Sequence, residues 1–363
     1  MRGYFLFSTQ HFFSVFFNMN MSNRNFPTAF PVLLADIGGT NVRFAILRDM
    51  ESDIECCGTV KTADYESLEH AIQEVILNKI SIRLRSAFLA LATSIGDQKK
   101  FMLTNYQWII DPEALISQMN FEDVLLINDF EAQALAVCFL SDSHYVSVGP
   151  DIERNNCSFS SRVIVGPGTG LGVSGVIRLK NSWIPISGEG GHMNIGPSSK
   201  RDFEIFPYLI EDERLSAEML LSGRGLVNIY KAICKADGFE NETSLSAQDI
   251  VFQEEHPIAL EAINLFCDYL GRIAGDLALI FMSRGGVYIS GGIPNKIIHL
   301  LRNSSFRDSF ENKAPHKELM RKIPTYVITN PYIAISGMLS YIKMTDNFNL
   351  ITDEGIRSRW IKP

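Results

Sequence analysis

Short apolar runs broken by glycine-rich or polar turns dominate the first third of the chain. Pro31–Ile37 (PVLLADI) is such a run, and Gly38-Gly39-Thr40-Asn41 follows it, which predicts a buried strand and a turn. Arg43–Arg48 reads as a second strand, making the pair a hairpin, and Val60–Lys61 ends a third. From Ser67 to Ile80, Leu68, Ile72, Val75, Ile76 and Lys79 recur at helical spacing behind Ser67 as cap. Ala87–Ala92 and Val124–Ile127 are further apolar strands, and polar Asn128-Asp129 leads into a helix over Phe130–Phe139. Strands interleaved with helices in this way predict a mixed α/β unit.

The pattern then starts again. Val163–Val165 is a strand, Gly166–Gly172 a glycine-rich turn and Val173–Ile177 a second strand. Ile263, Phe266, Leu270, Ile273, Leu277 and Phe281 fit a 3.6-residue period in a helix over Ala259–Met282, where Gly271 and Gly275 signal close packing. Val287–Ser290 is a strand that ends at Gly291-Gly292. A hairpin closed by a glycine-rich turn thus occurs twice, which predicts two related α/β halves with a cleft between them. A length of 363 residues agrees with two domains.

Residues 1–30 stand apart, with Phe5, Phe7, Phe12, Phe13, Phe16 and Phe17 crowded together. A signal peptide fits poorly: Arg2 is the lone n-region charge, Gln10 and His11 interrupt the apolar run, and no A-x-A site follows. The run is also shorter than the roughly 20 apolar residues of a membrane span. The expectation is a translation start at Met19 or Met21 and a soluble, cytoplasmic protein without a membrane partner.

Charge narrows the partners. Lys and Arg number 33 against 41 Asp and Glu, a net charge of −8 with no basic block, which disfavours nucleic acid. It does not exclude a phosphorylated ligand, because backbone N–H groups bind phosphate without net charge. Six cysteines (Cys56, Cys57, Cys138, Cys157, Cys234 and Cys267) form no C-x-x-C pair, as expected of reduced thiols in a cytosolic protein.

Six motifs carry the candidate chemistry. In Asp36-Ile-Gly-Gly-Thr-Asn-Val-Arg43, Gly38 and Gly39 permit close backbone approach, Thr40 and Asn41 offer hydrogen bonds, and Asp36 could hold a metal ion through water. Gly166-Pro-Gly-Thr-Gly-Leu-Gly172, centred on Gly168, Thr169 and Gly170, resembles an anion nest. Either loop alone reads more readily as a tight hairpin turn; two at equivalent places shift the reading to a phosphate clamp. In Leu126-Ile-Asn-Asp-Phe130, Asp129 could accept a proton from a substrate hydroxyl while Asn128 orients it, the alternative being a helix N-cap. Gly188-Glu-Gly-Gly-His-Met193 presents Glu189 and His192 in a loop too rich in glycine for a regular helix. Ala217–Gly223 places Glu218 near a helix start, and Gly285–Ile293 ends in Gly291-Gly292, against which a base or ribose could lie. Both glycine loops sit in hairpins rather than in the βαβ unit that a dinucleotide-binding G-x-G-x-x-G needs, and no Walker A or G-x-S-x-G motif is present.

Taken in order, DIGGTNVR, INDF, GPGTGLG, GEGGH, AEMLLSG and GGVYISGGI resemble the bacterial glucokinase family of the actin, hexokinase and Hsp70 ATPase superfamily, from about Val32 to Met344. The resemblance implies an α/β fold of two ribonuclease H-like (actin-like ATPase) domains, each a mixed sheet flanked by helices. It divides the chain into an extension 1–30, a small domain 31–139 plus 328–345, a large domain 140–327 and a tail 346–363 without a role. By resemblance Asp129 is the catalytic base, Asn128, Glu189, His192 and Glu218 bind D-glucose, and ATP with Mg²⁺ completes the site on Asp36, the two loops and Gly291-Gly292. Pro167 stands where Ala is common and Met219 where Arg is common, and neither removes a required group. The cysteine cluster of zinc-binding repressor/kinase sugar kinases is missing. A sugar-sensing regulator or a chaperone-type ATPase is the rival reading; the first needs a DNA-binding module and the second needs no polyol site. ATP against ADP as donor, the breadth of hexose use, and the oligomeric state, for which the family suggests a homodimer, stay open.

Overall fold

In the computed structural model, residues 29–362 are described, apart from 105, 151, 153–159, 180–181, 211–213, 240–244, 345–350, 353–354 and 357–358. The expectations for residues 1–28 and for Cys157 lie outside the described residues.

The first half builds one six-stranded sheet. β1 (Val32–Ile37), β2 (Asn41–Leu47) and β3 (Glu55–Lys61) form an antiparallel meander. After helix α1 (Leu68–Ile72) come β4 (Ser86–Leu91), α2 (Pro112–Met119), β5 (Asp123–Asn128) and α3 (Asp129–Ala136). β4 pairs parallel with β1, and β5 parallel with β4. The second sheet contains β6 (Tyr145–Ser147), β7 (Arg162–Pro167), β8 (Leu171–Leu179), β9 (Ser182–Gly188), β10 (Val287–Ile289) and β11 (Thr325–Ile328). Between β9 and β10 lie α4 (Gly223–Ala236) and α5 (Pro257–Ile280); α6 (Ile333–Lys343) follows β11, and β12 (Arg359–Ile361) lies in the tail.

The two sheets share one topology. Their orders are β12-β5-β4-β1-β2-β3 and β6-β11-β10-β7-β8-β9. Each is a meander, then two strands parallel to its first strand, then an antiparallel edge strand. The parallel strands β4, β7, β10 and β11 are buried along their whole length, as strands covered on both faces must be. Helices α3 and α6 lie between the sheets and share a core with both, from Leu34 and Phe88 on one side to Ile164 and Tyr288 on the other. Their close crossing depends on Gly337, where a Cβ would collide with the Ala132 carbonyl. Separate cores cover the outer faces, with α1 and α2 on the first sheet and α4 and α5 on the second. Gly271 and Gly275 admit the backbone of Phe306 and Phe310 against α5, as their place in the periodic helix predicts.

Several elements differ from the expectation. The helix expected to Ile80 stops being α-helical at Ile72 and ends in a π-turn over Gln73–Leu77, where the Asn78 N–H reaches the Gln73 carbonyl at 2.9 Å. The helix expected to Phe139 ends at Ala136. The glycine-rich turn is shorter than Gly166–Gly172, because β7 runs to Pro167 and β8 starts at Leu171. Helix α2 was not anticipated, although Asp111 caps it by accepting from Ala114 N–H at 3.0 Å and Pro112 opens it. The tail gains a role: Arg359–Ile361 pairs with β5 and covers that sheet edge. Just before β1, Phe30 packs on the core between the sheets, and Ala29 accepts from Ser86 Oγ at 2.6 Å.

Candidate active site

Register fixes where the site forms. Ile37, Leu91 and Asn128 lie side by side at the carboxyl edge of the first sheet's parallel strands. Val165, Ile289 and Val327 do the same in the second. The loops leaving these two edges surround one cavity of about 650 Å³, the place where open α/β sheets bind ligands.

Asn128 and Asp129 reach it from the β5–α3 junction. Asn128 is the N-cap of α3: its Oδ1 accepts from Phe130 N–H at 2.9 Å and Glu131 N–H at 3.2 Å, and Glu131 returns a bond to the Asn128 N–H. Capping and cavity-facing readings therefore both hold for this residue. Its Nδ2 donates to the Thr93 carbonyl at 3.1 Å, which leaves one amide hydrogen for a ligand. Asp129 starts the helix, and its Oδ1 accepts from Phe130 N–H at 3.0 Å. Burial pushes its carboxyl up to about 7, and the charges of Asp36 and Glu189 push the same way against the stabilising backbone N–H.

Asp36 faces Arg43 across the β1–β2 ladder, and Arg43 Nη1 donates to Asp36 Oδ2 at 2.9 Å. Burial raises the Asp36 carboxyl above its usual range despite this ion pair. Arg43 lines the cavity as well and is the site residue that sequence reasoning passed over inside a motif it had quoted. Gly38 and Gly39 line the cavity, but Thr40 and Asn41 do not. Thr40 is exposed at the turn, and its carbonyl accepts from Thr62 N–H at 3.0 Å. Asn41 opens β2 and pairs with Lys61 in its ladder.

On the opposite wall, Gly168, Thr169 and Gly170 form the hairpin tip. The flanking glycines serve packing rather than an anion nest. A Cβ at Gly166 or Gly172 would strike the Phe130 ring, so the neighbour of Asp129 is seated in the root of this hairpin. Gly191 has the same role in the GEGGH loop, where a Cβ would collide with the Leu171 carbonyl. Gly190–His192 is a single 3₁₀ turn. Glu189 and His192 are mostly exposed to the cavity, 3.9 Å apart. Glu189 Oε1 accepts from Ser94 Oγ, a residue of the first half, at 3.3 Å. Glu218 sits in the turn before α4, tied by its N–H to the Gly191 carbonyl at 2.8 Å, and its Oε2 accepts from Leu171 N–H at 2.9 Å. Gly291 and Gly292 line the far end.

Sequence reasoning also missed Thr93, Gln133 and Ser290, all of which line the cavity. Gln133 was legible as the residue one helical turn beyond Asp129; Thr93 was not, because its role comes from the β4 register. No group of three or more metal-ligating side chains occurs among the described residues. The charged groups on the cavity wall are four carboxylates, Asp36, Asp129, Glu189 and Glu218, with Arg43 and His192. Such a wall can recognise hydroxyls by charged hydrogen bonds and take up a proton near neutral pH.

Comparisons with known proteins agree with this geometry. The glucokinase family model matches residues 33–345. A glucokinase of Rhizobium johnstonii is 49% identical over 342 residues, covering 93% of this chain and 98% of that protein. Among solved structures, a glucokinase from an Antarctic psychrotroph superposes with a TM-score of 0.72 at 31% identity, covering 85% of this chain and 98% of the other. A Balamuthia mandrillaris glucokinase, solved in complex with glucose, shares the fold at a TM-score of 0.73 and 22% identity, covering 86% and 93%.

Proposed function

The chain belongs to the glucokinase family, and from that premise we propose that it transfers the γ-phosphoryl group of ATP to the 6-hydroxyl of glucose. The observation that carries the proposal is Asp129: a carboxylate with its proton affinity tuned to about 7, facing a cavity whose other wall bears Glu189, His192 and Glu218.

In this reading the sugar lies between Asn128 and the GEGGH loop. Asp129 takes the proton of the 6-hydroxyl as the oxygen attacks the γ-phosphorus. The new O–P bond forms as the bond from phosphorus to the bridging β–γ oxygen breaks, and ADP leaves. Catalysis of this kind is mainly positioning and electrostatics. The N–H groups of Gly39, Thr169 and Gly170 and the Arg43 guanidinium face the phosphate charge, the Gly38 and Gly168 N–H groups being spent on the Asn41 and Gly170 carbonyls within their turns, while Gly291 and Gly292 adjoin the adenosine. Mg²⁺, when bound, supplies charge neutralisation on the phosphates. Asp36 suits it through water, since Oδ2 is engaged by Arg43 and Oδ1 is left over. A lone carboxylate is enough here, because Mg²⁺ sites use one or two carboxylates together with substrate phosphates and water.

The reaction needs water kept out, or ATP hydrolysis competes. Ser94 and Glu189 already meet across the cleft, so closure over the sugar has a starting contact. We place the enzyme in the cytoplasm, where ATP is abundant and thiols stay reduced. No helix among the described residues is long and apolar enough to cross a membrane. A coupled assay with glucose, mannose and glucosamine against ATP and ADP tests the proposal. Glucose with ATP is expected to give the highest kcat/KM, and no turnover with any pair would refute it.

A further inference from the structure

The structure assigns Gln133 a place in the nucleotide site: its side-chain amide donates a hydrogen bond to a phosphate oxygen of the nucleotide. This rests on the kinase reading above. Gln133 lies four residues after Asp129 on α3, so both side chains share one helix face. Its Oε1 accepts from Ser290 Oγ at 2.7 Å, and both residues are buried while still lining the cavity. Ser290 is itself fixed, because its N–H donates to the Val165 carbonyl at 2.9 Å, and Gly291 follows it.

In this bond the amide carbonyl faces Ser290. With the carbonyl end held by Ser290, Nε2 is the free end. It has no acceptor among the described residues, and it is not among the orphaned, fully buried side-chain atoms, which belong to Asp123, Arg162 and Ser283. An amide with its oxygen committed and its N–H groups open to a cavity is a preset donor. Gln133 lines the same cavity as Gly291, the 168–170 hairpin and Asp129, the groups between which the nucleotide is proposed to lie. The described wall holds four carboxylates and few cations, so a neutral donor at this point favours an anionic chain that the wall otherwise repels.

The test is calorimetric titration of ADP in the presence of Mg²⁺, and of glucose separately, against the full-length protein and its variants. Gln133→Leu should weaken ADP about 10–100-fold, the usual worth of a hydrogen bond to a charged group, with glucose affinity within about twofold of wild type. Gln133→Glu keeps an acceptor for Ser290 but brings a charge toward phosphate, so it should lose ADP at least as strongly. It carries the test if the Leu variant fails to fold. Ser290→Ala should weaken ADP in the wild-type background and have no effect beside Gln133→Leu, since Ser290 acts only by orienting the amide. Wild-type ADP affinity in both Gln133 variants, an equal loss for glucose, or an undiminished effect of Ser290→Ala beside Gln133→Leu would overturn the assignment. A wild-type protein that binds ADP through Gln133 yet phosphorylates no hexose would instead refute the kinase reading alone.

Discussion

Glu218 accepts the backbone N–H of Leu171 at 2.9 Å, so a carboxylate on the cavity wall is also a strut beneath the glycine hairpin. The close fit extends to Gly170, where a Cβ would strike the same carboxylate oxygen. In the proposed reading, one side chain thus serves both sugar recognition and the phosphate-facing hairpin.

Glu218→Ala should therefore weaken both substrates. It leaves the Leu171 N–H without a partner, at a cost of about 1–3 kcal/mol, and removes a charged contact to the sugar. Glu218→Gln keeps an acceptor for Leu171 and should impair glucose more than ATP. Steady-state KM values for each substrate distinguish the two; an unchanged KM for ATP in Glu218→Ala would show that the strut is dispensable.

The pH profile follows from Asp129. Burial and the charges of Asp36 and Glu189 hold its carboxyl at about 7, and the base works only when ionised. The kcat/KM for glucose should fall as pH drops through about 7. Asp36→Asn removes one of the repelling charges, so the acid limb of the residual activity should move to lower pH. A limb that stays in place would mean that another group sets it.

The same shift predicts a stability gain. The folded state holds the Asp129 proton more tightly than an unfolded carboxyl of model value 3.8, so ionisation costs folding free energy as pH rises from about 4 to about 7. Asp129→Asn removes that cost. Its Tm should exceed the wild-type value at pH 8 and match it near pH 4. Differential scanning calorimetry at both pH values checks the sign.

The tail contributes through a buried ion pair. Arg359 of β12 donates through Nε to Asp123 Oδ2 at 2.8 Å, and Trp360 meets Phe101 edge to face with centroids 5.7 Å apart. Arg359→Ala leaves the Asp123 carboxylate buried without its counter-charge, which typically costs 3–5 kcal/mol, on the order of losing a large core side chain. Urea denaturation should show a lower midpoint; an unchanged midpoint would mean that the edge strand adds no stability.

Much of this was legible in the chain. The paired hairpins stood out because apolar runs ending in clustered glycines allow few alternatives, and the periodic face of α5 was long enough to resolve. The reasons for individual glycines were not legible. Gly166 and Gly172 looked like parts of an anion nest, but they make room for Phe130, a residue 36 positions before the first of them. The ambiguity at Asn128, cap or ligand group, dissolved because its oxygen caps while its amide keeps one free hydrogen. Thr40 and Asn41 were drawn into the site by adjacency to Gly38-Gly39, whereas the cavity wall takes in Gly38, Gly39 and Arg43 but neither of them. Contacts made by register across the cleft, such as Ser94 with Glu189 and Ser290 with Gln133, leave no local pattern to read.

The central claim is that Asp129 is the base that activates the sugar hydroxyl. The direct measurement is kcat of purified Asp129→Asn with saturating glucose and ATP, alongside calorimetric glucose binding to the same sample. Loss of a general base lowers rates by about 10²–10⁴-fold. The account predicts a kcat reduced by that order with glucose affinity within a few-fold of wild type; a folded variant that binds glucose and turns over at the wild-type rate would contradict it.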